Sequence, residues 1–300
     1  MTVPELTAHL LGGPVCQLGE GPVWDAENRQ LTWVDIPGRQ LHRAPLDDDG
    51  QLGEVQTLDV PGDLGSAVPV AGPTGGWLLG LAQGLSHLAT DGTVTELIRL
   101  ENDSALRMND AKCDSRGRWW GGSMTYDESQ RRGTLYRVDL DGSVHGVLTG
   151  VGVSNGLGWT ADDTTMFFND SGIETFSVFA FDPETGAATG RRLLTDGSDG
   201  FVPDGLAVDD EDTVWSVWWD HGTVRRYDRA GQLLETVDVP VPRTSSCCFA
   251  GRNRDLLVIT TGRTDQPDSG RLFVARPGTT GPAATPYAGP LTLRRENVSK

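Results

Sequence analysis

Residues 205–218, GLAVDDEDTVWSVW, consist of a short apolar run, a polar turn and a second apolar run. The same arrangement occurs in residues 21–35 (GPVWDAENRQLTWVD) and in four further blocks, which begin at Ala67, Asp110, Gly156 and Cys248. Successive blocks start 46, 43, 46, 49 and 43 residues apart. A repeat of this length, built from short strands separated by turns, is typical of a β-propeller blade. The sequence therefore predicts six blades.

The rest of each repeat supplies further strands. Runs rich in β-branched and aromatic residues lie at 133–138, 177–181, 222–227 and 270–274, and several end in turn sequences such as DLDG at 139–142. No helical periodicity extends beyond about three turns. We therefore predict an all-β fold, a six-bladed β-propeller with four-stranded antiparallel blades around a central channel, as a single domain over residues 1–300. Ring closure is expected to pair residues 5–11 with the C-terminal unit. A pair of β-sandwiches is the alternative, but it requires a linker near mid-chain, where residues 150–156 form only a short glycine-rich turn.

Composition restricts the partners that this chain can have. The formal net charge of −17 disfavours binding to nucleic acid or to an anionic membrane surface. The N-terminal sequence has neither the basic start nor the apolar stretch of a signal peptide. The four cysteines include adjacent Cys247 and Cys248, which are poor disulfide partners. These features predict a reduced, cytoplasmic protein that is a monomer or a weak homo-oligomer.

The residues directly before the six block starts occupy equivalent positions in the repeat. They are Glu20, Ser66, Asn109, Asn155, Asp204 and Cys247. The innermost strand of each propeller blade runs along the channel, so the side chains at its opening are expected to converge at one mouth. Four of these six side chains are carboxylates or carboxamides, whose oxygen atoms favour Ca²⁺, Mg²⁺ or Mn²⁺, although Zn²⁺ also accepts oxygen ligands. Asn and Asp beside Gly are also common turn residues, but their equivalence in the repeat favours a shared site.

Other motifs are weaker. Arg107 and Asp110 flank Asn109, and an arginine at a channel mouth could hold a substrate oxygen or remain a solvated loop charge. Residues 152–156 match G-x-S-x-G, but without the strand–elbow–helix context of a hydrolase, so Ser154 is not predicted to be a nucleophile. The five histidines lack metal-ligand spacing.

Several segments resemble the signature sequences of the regucalcin/gluconolactonase family. They are LGEGPVW at 18–24, RMND at 107–110, SNGL at 154–157, PDGL at 203–206 and TSSCCF at 244–249, which is similar to a segment of the animal members. The resemblance extends over nearly the whole chain, in order. It implies a six-bladed propeller with one divalent metal in the channel, held by Glu20, Asn155 and Asp204. Ca²⁺ is the ion expected to bind, and Zn²⁺, Mn²⁺ or Mg²⁺ are alternatives for activity.

The resemblance also implies a function, the hydrolysis of a sugar lactone to its aldonic acid. Substrate contacts are expected from Arg107 and Asn109, and from Tyr126, where the animal members carry an acidic residue. The segment before Arg107, Ala105-Leu106, also departs from the family, so these two differences concern the sugar that is bound. Asp204 is the expected general base. A phosphotriesterase-like hydrolase using the same metal and a non-catalytic, calcium-binding propeller are the alternatives.

Overall fold

Six sheets, each built around antiparallel strands, form the molecule in the computed structural model, which describes residues 3–128, 130–196, 200 and 202–295. The chain begins with two short strands, Glu5–Thr7 (β1) and His9–Gly12 (β2). Blade 1 consists of Gly19–Asp25 (β3), Gln30–Asp35 (β4), Gln40–Pro45 (β5) and Gln56–Asp59 (β6). Blade 2 consists of Leu64–Pro69 (β7), Trp77–Leu81 (β8), Gly84–Leu88 (β9) and Val94–Arg99 (β10). Blade 3 consists of Leu106–Cys113 (β11), Trp119–Thr125 (β12), Gly133–Val138 (β13) and Ser143–Val151 (β14).

The second half of the chain continues the pattern. Blade 4 consists of Ser154–Trp159 (β15), Thr165–Asp170 (β16), Thr175–Asp182 (β17) and Ala187–Asp196 (β18). Blade 5 consists of Val202–Val208 (β19), Val214–Trp219 (β20), Thr223–Tyr227 (β21) and Leu233–Asp238 (β22). Blade 6 contains Thr244–Ala250 (β23), Leu256–Thr261 (β24) and Leu272–Ala275 (β25). The last strand of the chain, Arg294–Arg295 (β26), is not part of blade 6. The first strand of each blade contacts the first strand of the next, and β23 contacts β3, so the ring is closed. This is the predicted six-bladed β-propeller.

The N-terminal segment closes the ring in two steps. Strand β2 pairs with β25 and supplies the fourth strand of blade 6, which confirms the predicted pairing with the C-terminal unit. Strand β1 was expected to join the same unit, but it pairs in parallel with β22 as a fifth strand of blade 5. Strand β26 extends blade 3 in the same way. Each of these additions covers a sheet edge that would otherwise leave backbone groups unpaired.

The hydrophobic core is divided into six clusters, one between each pair of neighbouring blades. Neighbouring residues on a strand face opposite sides of the sheet. Phe167 therefore packs toward blade 5 and Phe168 toward blade 3. Likewise, Trp119 packs toward blade 2 and Trp120 toward blade 4. Blades buried on both faces explain why the strands read as almost continuous apolar runs.

Two blades repeat a polar contact at the end of the innermost strand. Asp114 accepts a hydrogen bond from Trp120 Nε1 at 3.1 Å, and Asp209 accepts one from Trp215 Nε1 at 3.0 Å. Arginine guanidinium groups stack on both indole rings, Arg137 on Trp120 and Arg226 on Trp215. All four cysteines are free thiols. The part of the chain that the structure describes has one helical element, the 3₁₀ turn Ser171–Ile173, and contains no helix long and apolar enough to cross a membrane.

Candidate active site

Each innermost strand has a β-bulge close to the same place in the repeat. The pairing register shifts between Glu20 and Val23 in β3, and the five other innermost strands shift within three residues of the equivalent position. These shifts lie at Leu64/Ser66, Met108/Ala111, Ser154/Leu157, Pro203/Leu206 and Thr244/Ser246. A bulge bends a strand and re-aims its side chains. Glu20, Asn109, Asn155 and Asp204 all lie at or directly beside these bulges, so the predicted positions coincide with them.

Glycines beside the bulges let neighbouring blades approach closely. A Cβ on Gly156 would lie 2.7 Å from the backbone oxygen of Asp204, and one on Gly205 would lie 2.2 Å from Ser246 Oγ. Both distances are shorter than real Cβ contacts, so only glycine fits there without movement. The close approach brings β15 against β19 and places Asn155 beside the strand that carries Asp204.

All of the predicted site residues except Tyr126 are buried, and a chain of hydrogen bonds connects several of them. Arg107 Nη1 donates to Asn109 Oδ1 at 2.6 Å. Asn109 Nδ2 donates to the Ser154 carbonyl at 2.8 Å and to Asn155 Oδ1 at 2.9 Å. Asn155 Nδ2 in turn donates to Ser171 Oγ at 2.8 Å. Residues 46 positions apart in the sequence are therefore in direct contact.

Three carboxyl groups lie in the same buried region. Burial and repulsion by Asp110 raise the pKa of Glu20 to about 8. Burial and the charge of Glu20 raise the pKa of Asp204 well above its usual range, and burial also raises that of Asp110. Arg107 opposes the shifts of Glu20 and Asp204 but does not cancel them. The site therefore favours an additional positive charge.

We expect the metal-free protein to lose stability as the pH rises. The pKa of Glu20 is raised from 4.5 to about 8 on folding, so between these values the folded state binds more protons than the unfolded state. The free energy of unfolding must then fall as the pH increases through that range. Urea unfolding of chelator-treated protein, followed by circular dichroism from pH 5 to pH 9, should show this decrease.

The matched variant is Glu20→Gln, which removes one titrating group and should reduce the slope. Asp204 and Asp110 have pKa values raised in the same direction and should leave a residual slope. A free energy of unfolding that increases across this range in the chelated wild type would contradict the electrostatic account of the site.

The available donor atoms suit a hard divalent cation. Within the described residues, the Asp204 carboxylate accepts no hydrogen bond, and the Glu20 carboxylate accepts one, from the Gly21 N–H at 2.7 Å. With Asn155 Oδ1 they form a set of two carboxylates and one carboxamide, which Ca²⁺ or Mg²⁺ accept. The described residues contain no group of three His, Cys, Asp or Glu side chains able to hold a metal ion. Asp110 therefore does not join Glu20 and Asp204 in such a group.

The channel mouth carries Arg107 and Tyr126. Arg107 is 8 % exposed, and its guanidinium carbon lies 5.9 Å from the centroid of the Tyr126 ring. Tyr126 is exposed, and its hydroxyl donates to Asp63 Oδ2 at 2.8 Å. Asp63 also accepts from Arg39 Nε at 3.0 Å. Two predicted substrate-contacting residues thus lie side by side at the entrance.

The structure adds residues that the repeat alignment did not identify. Asn169 Nδ2 donates to the Asp204 carbonyl at 2.6 Å, and the Ser171 hydroxyl donates to the Pro203 carbonyl. Lys112 Nζ donates to the Leu206 carbonyl. Asn169 and Ser171 lie in the polar NDS sequence after the apolar run of β16, and Lys112 is one of only two lysines in the chain. Both signals were present in the sequence, but neither lies directly before a block start, where the repeat was compared.

A separate cavity of about 380 Å³ lies at the opposite end of the channel. The distal ends of the innermost strands and residues 282–285 line it, with Trp24, Trp159 and Phe249 among the side chains. None of Glu20, Asn155 or Asp204 contributes to it, whereas Lys112 does. The acidic site and the apolar cavity are therefore two regions of one channel.

The fold and the site together define a class of protein, a six-bladed β-propeller with a buried, acidic, oxygen-rich centre on its axis. Comparison with known proteins agrees with the fold. The SMP-30/Gluconolactonase/LRE-like region matches residues 18–263, and the chain belongs to this family.

Individual relatives are similar over most of their length. The pentonolactonase XacC of Haloferax volcanii is 36 % identical over 252 residues, which cover 83 % of each chain. Regucalcin of Gallus gallus is 32 % identical over 297 residues, covering 93 % of this chain and 97 % of its own. The crystal structure of a calcium-binding protein, regucalcin from Agrobacterium tumefaciens, aligns with a TM-score of 0.87 at 25 % identity and covers 96 % of this chain and 99 % of its own.

Proposed function

We propose that this chain hydrolyses sugar-derived lactones with the help of one divalent cation. The observation that carries the proposal is the buried pair Glu20 and Asp204, whose pKa values are raised by burial and by repulsion from neighbouring carboxyl groups, which Arg107 does not offset. Such an unbalanced carboxylate pair destabilises the fold, so its presence on the axis points to a function. The similar Haloferax protein named pentonolactonase supports a lactone as the substrate class.

Glu20, Asn155 and Asp204 are the residues that would hold the cation, with Ca²⁺ as the proposed ion. The similar Agrobacterium protein, which is described as calcium-binding, supports this choice, and Zn²⁺, Mn²⁺ or Mg²⁺ are alternatives for activity. A bound cation would polarise the lactone carbonyl and lower the pKa of a water molecule. Few protein ligands leave coordination positions open, as in catalytic rather than structural sites.

The side chains of the site have distinct proposed roles. Asp204 accepts the proton of the attacking water and acts as general base. Arg107 donates its two hydrogen bonds within the described residues from Nη1, so Nη2 and Nε are the atoms proposed to hold substrate oxygens. Tyr126 offers a further hydroxyl at the entrance.

Most hydrogen-bonding groups of the Asn109 side chain are already used within the protein. Both of its amide hydrogens already bind protein oxygens, and its Oδ1 accepts from Arg107. Only the second lone pair of Oδ1 remains for a substrate hydroxyl. We therefore propose that Asn109 also orients Arg107 and Asn155. The polar entrance formed by Arg107, Tyr126 and Asp63 favours hydroxylated lactones over lactones with long apolar chains.

The direct test is a pH-stat assay of metal-stripped and reconstituted protein. We expect δ-gluconolactone or a pentonolactone to be hydrolysed after addition of Ca²⁺, Mg²⁺, Mn²⁺ or Zn²⁺ and not after chelation. A phosphotriester such as paraoxon, tested in parallel, should be hydrolysed more slowly. Cation-independent hydrolysis at the same rate would reject the metal-dependent mechanism. Tight Ca²⁺ binding with no hydrolysis of any lactone would instead indicate a non-catalytic propeller.

A further inference from the structure

Lysine is almost absent from this chain. Of its 25 basic residues only Lys112 and Lys300 are lysines, and the other basic positions are all arginine. Lys112 is the one lysine within the residues that the structure describes. An ammonium group is compact and donates hydrogen bonds in any direction, whereas a guanidinium is planar and larger. Position 112 therefore differs from nearly all other positively charged positions of this chain, which are arginine.

Lys112 connects two blades that are not neighbours. It lies on β11 of blade 3, the strand that also carries Arg107 and Asn109. Its ammonium donates to the carbonyl of Leu206 on β19 of blade 5, two residues after Asp204. Blade 4 lies between them, and its innermost strand β15 has glycine at 156 and 158, both tightly packed against β19.

The surroundings of Lys112 are polar on one side and apolar on the other. It contributes to the lining of the apolar cavity at the opposite mouth. Its positive charge acts on the carboxyl groups of Glu20 and Asp110, and it lowers the pKa of both against the effect of burial. A long amphipathic side chain commonly keeps its stem against apolar groups and its charged end near polar ones. Lys112 therefore lies at the boundary between the two regions of the channel.

We propose that Lys112 is a positioning residue for the reaction: its ammonium fixes the backbone of β19 beside Asp204 relative to β11, which carries Arg107 and Asn109. The inference rests on the proposed function, because it concerns the alignment of the general base with the group that binds the substrate. Lys112 itself does not have to contact the substrate.

The size of the expected effect follows from geometry. Removing the ammonium leaves the Leu206 carbonyl without this donor and the buried carboxylates with one cation fewer. A displacement of about 1 Å at a reacting group can lower a rate about a hundredfold. Arg107 would still bind the substrate, so the loss should appear in kcat and not in KM.

The test compares Lys112→Met, Lys112→Arg and the control Arg116→Met by steady-state kinetics on δ-gluconolactone at 25 °C. Lys112→Met keeps the aliphatic stem and should lower kcat about tenfold to a hundredfold, with KM within about twofold. Lys112→Arg restores charge and donors and should give an intermediate kcat. Arg116→Met removes an exposed cation that is paired with Glu184, and it should leave both constants unchanged. Circular dichroism establishes that each variant is folded at the assay temperature.

An unchanged kcat in folded Lys112→Met, or a change confined to KM, would overturn the inference. If the wild type hydrolyses no lactone, the proposed function fails and Lys112 is tested by calorimetric titration with CaCl₂. Loss of a positive charge alone strengthens cation binding, so weaker Ca²⁺ binding by folded Lys112→Met would report displaced ligands and support the positioning role. Equal or tighter binding would overturn it. A wild type that neither hydrolyses lactones nor binds Ca²⁺ removes both proposals.

Discussion

Asp204→Asn is expected to lower kcat for lactone hydrolysis at least about a thousandfold while making the metal-free protein more stable. The carboxamide has nearly the shape of the carboxylate, but it cannot accept the proton of water and binds a cation weakly. The carboxylate itself is disfavoured by burial and by the charge of Glu20, and the neutral amide removes that repulsion. Loss of activity should therefore accompany a gain in stability.

Two measurements check this expectation, pH-stat rates in the reconstituted protein and urea unfolding of the chelated protein at pH 8. Asp209→Asn is the matched control, because Asp209 is also buried and lies near the end of the same blade's innermost strand. It accepts hydrogen bonds from Trp215 and Thr213 instead of facing the site. This control should lower stability and keep kcat, the reverse of Asp204→Asn. Wild-type turnover by Asp204→Asn would remove Asp204 as both base and ligand.

Gly156→Ala is expected to lower the free energy of unfolding by about 1–3 kcal/mol and to disrupt the site. The added methyl would lie 2.7 Å from the Asp204 carbonyl oxygen and 2.8 Å from the Leu206 backbone nitrogen. Both are backbone atoms in a paired strand, so relief of the clash requires movement of β19. That movement changes the position of Asp204 relative to Asn155.

The comparison is with Gly146→Ala on β14, where the added methyl meets only Thr134 Cγ2 at 3.5 Å. This control should change the urea midpoint little, because the space is open. Urea unfolding gives the stability of each variant, and the kcat of the folded fraction gives the effect on the site. Equal stability of the two variants, with full activity of Gly156→Ala, would show that β15 and β19 approach less closely than the structure indicates.

The strands and the repeat could be predicted from sequence because both are local properties. Each blade alternates apolar runs with polar turns, and residues 133–138 correspond to β13 without adjustment. The predicted ranges 222–227 and 270–274 start one and two residues before β21 and β25, respectively. Each range begins at a glycine that belongs to the preceding turn and not to the strand. The division of the N-terminal segment between blades 5 and 6 could not be predicted, because it depends on which sheet edges remain unpaired after the ring has formed.

The candidate site was predictable only in part. The equivalence of Glu20, Asn109, Asn155 and Asp204 in the repeat indicated that they share one end of the channel, and their burial and contacts agree with this. The amide hydrogens of Asn109 are used within the protein, which no spacing could reveal. Lys112, Asn169 and Ser171 were not predicted because none of them lies directly before a block start, the one position that was compared between repeats.

The sequence by itself determined the number of blades, the strands within them and the residue types at the channel mouth. Apolar runs, turns and their period are local properties of the sequence, so they can be recognised without the fold. Only the tertiary structure decided which oxygen atoms remain free of hydrogen bonds, which charges lie close enough to shift a pKa, and which carbonyl accepts a hydrogen bond from Lys112. These properties arise between blades, from bulges and close glycine contacts that bring together residues more than 40 positions apart. Hydrogen bonding and burial depend on that proximity, and a one-dimensional pattern does not contain it.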